Sequence, residues 1–480
     1  MGFSMSFIPS TKFQKAAFGE LETITPQPLM QASAVYGIPP QITQLTSVTG
    51  SVSASDNQFV CNTGASALSI AACFSNRAVI YKAGQGAEIR FTAVFTSGAG
   101  VNTEQLAGFL NGTDGFAIGY NGSQFGVVRR YGGQQSINEL QITTPAGGSE
   151  NATVTIDNVA YTVPLTAGTV QENAIEVADS LNSQVGLFDF TAVNDTVVCR
   201  SVLGTTNNGT FSFSSSTAAG TFTNIINSSP VNEDWTYQAD FNGIDTSWLD
   251  TTKGNVYRII YQYLGYGRIT FFVERPETGE FEVMHSINYA NTATVPHVSN
   301  PDFRCGWSVS NNADAESVVI KGASIGMFKQ GESVILEPAK TLRGDGNTDT
   351  TEIPLFTLRC RDVLGTKINI PPIIPEFLDG YTEGTRGALI KVYKDAELTG
   401  AVFQYVDKAT SIALVDTSAT AFTGGTEVYS KQVSNSGTPQ SDLRSLNLEI
   451  LPNQQYTVTI QQLRGAAADC SATLIYQENK

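Results

Sequence analysis

Apolar and polar residues alternate along most of this chain, with the period of two that belongs to strands covered on one face. The clearest stretch runs from Ala107 to Gly133. Phe116, Ile118 and Tyr120 alternate with Ala117 and Gly119, and Phe125, Val127, Arg129 and Tyr131 share one face of the next run. Asn111-Gly112 and Asn121-Gly122 punctuate these runs with the residues that supply positive φ in tight hairpins. The pattern predicts a β-meander that needs a second sheet to cover it.

Similar runs flank it. Residues 87–95 place Ile89, Phe91 and Ala93 in phase, and residues 256–263 do the same with Tyr257, Ile259, Tyr261 and Tyr263. Ile269, Phe271 and Val273 follow, then Cys305 to Val309 and Val318 to Met327. Between these long strands the pattern changes. Residues 136–229 carry short strands, an Asp157-Asn158 hairpin loop and one helix, predicted over 170–185. Thr169 and Glu172 form its capping box. Ala174, Ile175, Ala178, Leu181 and Val185 form its apolar face, and Gly186 stands where the chain would leave it. After Gly344, read as lying in a polar linker, short strands separated by turn signals continue to the end, as in an all-β sandwich.

The fold class is therefore mainly β: a multidomain β-sandwich or jelly-roll architecture with one small inserted ββαββ module. Residues 46–135 and 230–335 are expected to be the two halves of one lectin-like sandwich, in pattern like the jelly rolls of the laminin-G type. Residues 136–229 are the insert, and 336–480 a C-terminal sandwich. Residues 1–45 read as an arm broken by Pro9, Pro26, Pro28, Pro39 and Pro40. Its Phe3, Phe7, Phe13, Phe18 and Leu21 imply that it docks, on its own body or on a neighbouring subunit.

Composition narrows the function. At 15 % charged residues the surface must be largely uncharged and polar, which suits extended β faces. A net charge of −16 argues against nucleic acid, which is bound by neutralising phosphates, and against an anionic membrane. The six cysteines lie apart, without a CxxC, and are expected to be mostly buried thiols. No secretory leader and no transmembrane run is expected from the sequence. The Asn-X-Ser/Thr sequons at Asn111, Asn121, Asn151, Asn194, Asn208 and Asn227 are expected to be unmodified.

Chemistry is sparse. His285 and His297 cannot furnish a histidine-rich metal site, and both are expected to be structural. There is no nucleophile elbow, phosphate loop or HExxH. The oxygen-rich string from Asp345 to Glu352 resembles a calcium loop but lacks EF-hand spacing, and is read as solvated. Arg343-Gly344-Asp345 spells an adhesion tripeptide that chance also produces. No acid pair marks a glycosidase. The chain is thus expected to be no enzyme and to hold no cofactor and no metal. Among its aromatics, Trp235, Trp248, Trp307 and Tyr266 are the candidate glycan contacts, core packing being the alternative.

Several strings together resemble a known group. They are Ala17-Phe18-Gly19-Glu20-Leu21, Tyr36-Gly37-Ile38, Gly84-Gln85-Gly86-Ala87 with Arg90-Phe91-Thr92, Asp114-Gly115-Phe116 through to Phe125-Gly126-Val127, and Phe356-Thr357-Leu358-Arg359. In turns and strands these resemble virion structural proteins of large double-stranded DNA viruses, including tailed phages and viruses of algae or protists. The likeness covers residues 10–135 and 230–480. It implies an exterior virion component (a fibre, spike or minor capsid protein) assembled in the host cytoplasm and serving assembly and host attachment. The implied partners are other virion proteins, copies of itself, with a trimer favoured, and a host surface glycan. A carbohydrate-binding adhesin without a virion role is the alternative reading, and a polysaccharide depolymerase the second alternative.

Overall fold

The structure is a computed structural model that describes residues 26–185, 188–201, 209–313, 316–331, 337–384, 387–434 and 441–480. The apolar residues expected in the arm (Phe3, Phe7, Phe13, Phe18 and Leu21), the string from Ala17 to Leu21, the helix-exit Gly186 and the Asn208 sequon lie outside them. The fold is mainly β throughout, in antiparallel sheets. It forms two compact units, each made of two separate chain segments. The first takes residues up to Gly132 together with Val231–Ser333, and the second takes Gly133–Pro230 with Val334–Lys480.

The first unit is a sandwich. Its front sheet runs, in spatial order, Asn232–Tyr237, Gln124–Tyr131, Gly115–Asn121, Thr103–Leu110, Arg304–Asn311, Ser69–Ser75 and Ile42–Ser47. Its back sheet runs Gln27–Ser33, Ser324–Lys329, Ala87–Ala93, Asn255–Tyr261, Ile269–Glu274 and Phe281–Ile287. The apolar phases read from the sequence meet between them. Phe109 and Phe116 of the front sheet lie 5.9 and 5.6 Å from the Tyr261 ring of the back sheet. Residues 26–45, expected to belong to the arm, are instead largely part of this sandwich. Gln27–Ser33 is an edge strand paired with Ser324–Lys329, and its register slips between Pro28 and Met30, where the ladder tolerates a proline.

The turns differ in kind. Gly122 takes φ +58 in the loop after Asn121, but Asn121 itself ends the strand and pairs with Gln124. At Asn111-Gly112 neither residue has positive φ among those recorded. Instead the Asn111 carboxamide oxygen accepts the Thr113 and Asp114 backbone N–H groups at 2.9 and 2.7 Å. This is an Asx-type closure of a longer loop.

The second unit contains the small module. Its helix is Val170–Asn182, and both halves of the capping box are present: Glu172 N–H donates to Thr169 Oγ1 and Thr169 N–H donates to Glu172 Oε2. The buried face is Asn173, Ala174, Val177, Ala178 and Leu181, with Val177 in place of the expected Ile175. Asp157 and Asn158 both have positive φ, at 51° and 67°, as a two-residue hairpin loop requires. Around the ββαββ centre stand three further strands, Ile137–Thr144, Phe211–Ser214 and Ala219–Ile226.

The C-terminal part of this unit is a sandwich of a six-stranded and a four-stranded sheet. The expected linker at Gly344 is a strand, Lys340–Thr348, paired with Ala468–Glu478. Glu478 is 1 % exposed. Burial pulls its carboxyl up, but Lys340 Nζ, the Ser411 hydroxyl, the Ile412 N–H and Lys480 Nζ more than reverse this, and the carboxyl stays below its ordinary value.

Candidate functional site

The structure separates the four aromatics proposed as glycan contacts. Trp307 is core: it is 1 % exposed, stacks on Phe59 at 5.3 Å and donates its indole N–H to the Thr92 carbonyl at 3.0 Å. It is withdrawn as a contact residue, because its strand phase points it between the sheets. Trp235 sits on the outward phase of the edge strand Asn232–Tyr237. Its ring lies parallel to Tyr237, with centroids 6.1 Å apart and 8° between planes, and its N–H donates to Glu233. Trp248 donates to the Asp245 carbonyl at 3.0 Å and lies under the Arg275 guanidinium at 4.8 Å. Tyr266 is 38 % exposed, with its hydroxyl donating to the Thr294 carbonyl at 3.3 Å. Each has its own partners, and no recorded ring contact joins one to another.

The oxygen-rich string does not converge. Asp345 lies on a strand and pairs with Arg343 at 2.7 Å, which also ties up the adhesion tripeptide. Asn347 donates to Asp469, Asp349 accepts the Thr351 N–H, and Glu352 pairs with Lys391 at 2.9 Å. The string is solvated as expected, with Asp345, Asn347 and Asp349 exposed, but its first part is strand and only the remainder a turn. Among the described residues no group of three or more His, Cys, Asp or Glu is placed to hold a metal ion. All six cysteines are buried and free, and Cys61 and Cys73 bring their sulfurs to 3.4 Å.

A different feature stands out at one end of the front sheet of the first unit. Asn311 pairs with Ser69 on one side and Thr103 on the other, and Ser47 pairs with Ile70. The loops entering Thr103 and Ser69 and leaving Ser47 therefore emerge at the same end of the sheet, with the end of Arg304–Asn311 between the first two. Each carries one bare apolar residue: Val101 is 80 % exposed, Leu68 67 % and Val48 70 %. Val48 and Leu68 have φ of 55° and 61°. For L-residues this left-handed conformation costs about 1–2 kcal/mol, and for a β-branched valine it is an outlier.

Hydroxyls hold the two strained turns together. Ser47 Oγ donates to the Leu68 carbonyl at 3.3 Å and accepts the Ile70 N–H at 3.2 Å, and Thr49 Oγ1 meets Ser69 Oγ at 2.9 Å. The third loop is pinned by Gly100 N–H donating to Glu316 at 2.5 Å and by the Thr103 hydroxyl donating to the Gly100 carbonyl at 2.7 Å. The result is a fixed row of apolar tips. Sequence reading passed over it, although each tip is a lone apolar residue inside a polar turn, as in Ser66-Ala67-Leu68-Ser69. What periodicity could not convey is that three distant turns lie at the same end of one sheet.

No family model and no curated protein matches this chain. Among solved structures it is similar to a lectin from Bauhinia forficata in complex with GalNAc, at 10 % identity and TM-score 0.24, over 64 % of this chain and 100 % of that one. It is similar to the carbohydrate recognition domain of Emp46p at 12 % identity and TM-score 0.23, over 60 % and 88 %. It is also similar to a structure described as the triple jelly roll fold and turret assembly in an archaeal virus, at 7 % identity and TM-score 0.17, over 100 % and 98 %. Likenesses at this level assign no function.

Proposed function

We propose that this chain is an exterior virion component, a fibre, spike or minor capsid protein. It is assembled in the host cytoplasm and works by surface complementarity without catalysis. Its partners are other virion proteins and copies of itself, with a trimer as the expected state. The observation that supports docking is the row Val48, Leu68 and Val101. Burying a valine or leucine fully favours association by about 1.5–3 kcal/mol each relative to leaving it in water. A strained, hydroxyl-braced display of three such side chains is what a docking edge needs.

Light scattering on the purified chain tests this reading. A defined multiple of 51.3 kDa that falls to the single mass in Leu68→Asp and Val101→Asp is the expected result. A single mass in the parent chain, with no retention on particles lacking it, counts against the proposal. The carbohydrate-binding reading draws on the parallel Trp235–Tyr237 pair, whose outer flank could take a sugar ring. A glycan array without signal above background would remove that support.

A further inference from the structure

We infer that the second unit carries a binding site for a single neutral sugar residue, in a cavity formed where the small module packs on the C-terminal sandwich. This deepens the carbohydrate-binding reading above, on which it rests, and moves it away from the aromatics of the first unit. The cavity holds about 200 Å³. That is the space of roughly six or seven water molecules at about 30 Å³ each, and it falls below the ~300–1,000 Å³ of sites for larger ligands. It suits one ring and excludes a buried oligosaccharide.

Part of its lining is apolar. Val193 and Val198 come from the module, and Val363 and Leu414 from the sandwich. A pyranose presents a C–H face to such side chains. Hydroxyls from both parts also line it: Thr191 from the module, Thr366 and Tyr405 from the sandwich. Among the described residues none of the three side chains is committed to a hydrogen bond. Each can donate and accept, which matches the hydroxyls of a sugar.

The charges around the cavity are balanced and mostly engaged. Arg361 donates to the carbonyls of Val363, Lys408 and Ser411 and lies over the Tyr405 ring at 4.6 Å. It fixes the tyrosine with Nε and Nη1 engaged, while Nη2 makes no hydrogen bond among the described residues. Asp362 takes Arg200 at 3.1 Å, and Lys408 pairs with Glu139 at 3.2 Å. Two cations therefore face two carboxylates in the lining. A sialylated or sulfated sugar would find no surplus positive charge, whereas the second oxygens of Glu139 and Asp362 can accept from neutral hydroxyls. The site also gives the module a role: without residues 136–229 the cavity loses one wall.

Titration of the full chain with methyl glycosides of neutral hexoses and N-acetylhexosamines, followed by calorimetry and saturation-transfer NMR, tests the inference. A saturable interaction is expected, weakened about fivefold by Tyr405→Phe and by Thr191→Val, the weight of one hydrogen bond each. Thr366→Trp, at the exposed mouth, should abolish it. Both conservative variants remove only an uncommitted hydroxyl or its equivalent, and their melting temperatures should match the parent. Absence of saturable binding to every neutral glycoside, binding indifferent to all three variants, or preference for sialyl or sulfated glycosides would each overturn the site. Light scattering on the same samples separates the two proposals. Failure of sugar binding in a chain that still assembles refutes the site alone, and sugar binding by a chain that stays monomeric refutes the assembly reading alone.

Discussion

The His297 imidazole lies against the Tyr289 ring with centroids 4.3 Å apart and 30° between planes, and is 1 % exposed. Phe116, Tyr261 and Tyr263 close the cage edge-on, and Arg129 Nε donates to the His297 carbonyl at 2.7 Å. Burial, with the Arg129 charge adding to it and the Gln262 and Gly267 carbonyls opposing, lowers the imidazole from 6.5 to about 4. In the folded chain it stays neutral where an unfolded chain would protonate it. Its contribution to stability is complete above pH 6.5 and is lost as the pH falls from there through 4. At about 1.4 kcal/mol per pKa unit the loss approaches ~3 kcal/mol. Melting temperature against pH should fall less steeply over this window in His297→Phe. Parallel curves for the two proteins would show that the cage does not sense acid.

Glu104 works in the opposite direction. Burial raises its carboxyl to about 8, with Glu233 adding to the effect and Arg130 opposing it. A raised carboxyl contributes stability that is complete below pH 4.5 and is lost as the pH rises from there through 8. Glu104→Gln keeps a neutral side chain at every pH. Its melting temperature should match the parent near pH 4 and exceed it increasingly from pH 6 to pH 9. A variant that melts lower at both values would contradict the assignment.

The strained tips should trade stability against docking. Val48→Gly removes the conflict between a branched side chain and φ of 55°. It is expected to stabilise the isolated unit by about 1 kcal/mol, less the backbone entropy that glycine brings. The same change should weaken self-association. Urea denaturation and light scattering on one preparation read both effects. A variant that is less stable yet fully assembled would mean that the turn is not strained for docking.

Gly322 approaches the Trp307 indole so closely that a Cβ would lie 2.3 Å from two ring carbons. Gly322→Ala must displace a tryptophan locked by Phe59 and the Thr92 carbonyl, and should cost about 1–3 kcal/mol. Trp307→Phe should relieve part of that cost in the double variant, since both residues share one contact. Additive losses in chemical denaturation would argue that the two do not touch in solution.

Elements built from local signals were legible in the sequence. Thr169 and Glu172 announce the start of the helix, and Asp157-Asn158 its preceding hairpin, because caps and two-residue turns depend on neighbours in the chain. That Phe116 shares a strand face with Ile118 and Tyr120, and Tyr261 with Tyr257 and Ile259, was legible too, because alternation is a local pattern. Trp307 shows the limit: periodicity places it on a strand but does not say which face is covered. Gly344 shows another, since a glycine-rich polar run reads as a linker until Ala468–Glu478, more than a hundred residues later, supplies its ladder. The row Val48, Leu68 and Val101 and the cavity beside Tyr405 depend on which distant segments become neighbours, and no local signal carries that.

The order in which segments leave the ribosome follows from the two interleaved units. Strand Arg304–Asn311 sits in the middle of the front sheet, between Ser69–Ser75 and Thr103–Leu110, yet it is made last of the three. From Leu110, the end of one flanking strand, to Asn311, the end of the strand that fills the gap, is about 200 residues, or about 10–40 s at ~5–20 residues per second. Through that interval the nascent sheet has two facing strand edges with nothing between them, each able to capture a stray strand from another chain. Residues 133–230 wait in the same way for their sandwich. Crowded synthesis of many copies at once is therefore the condition under which this chain depends most on holdase chaperones.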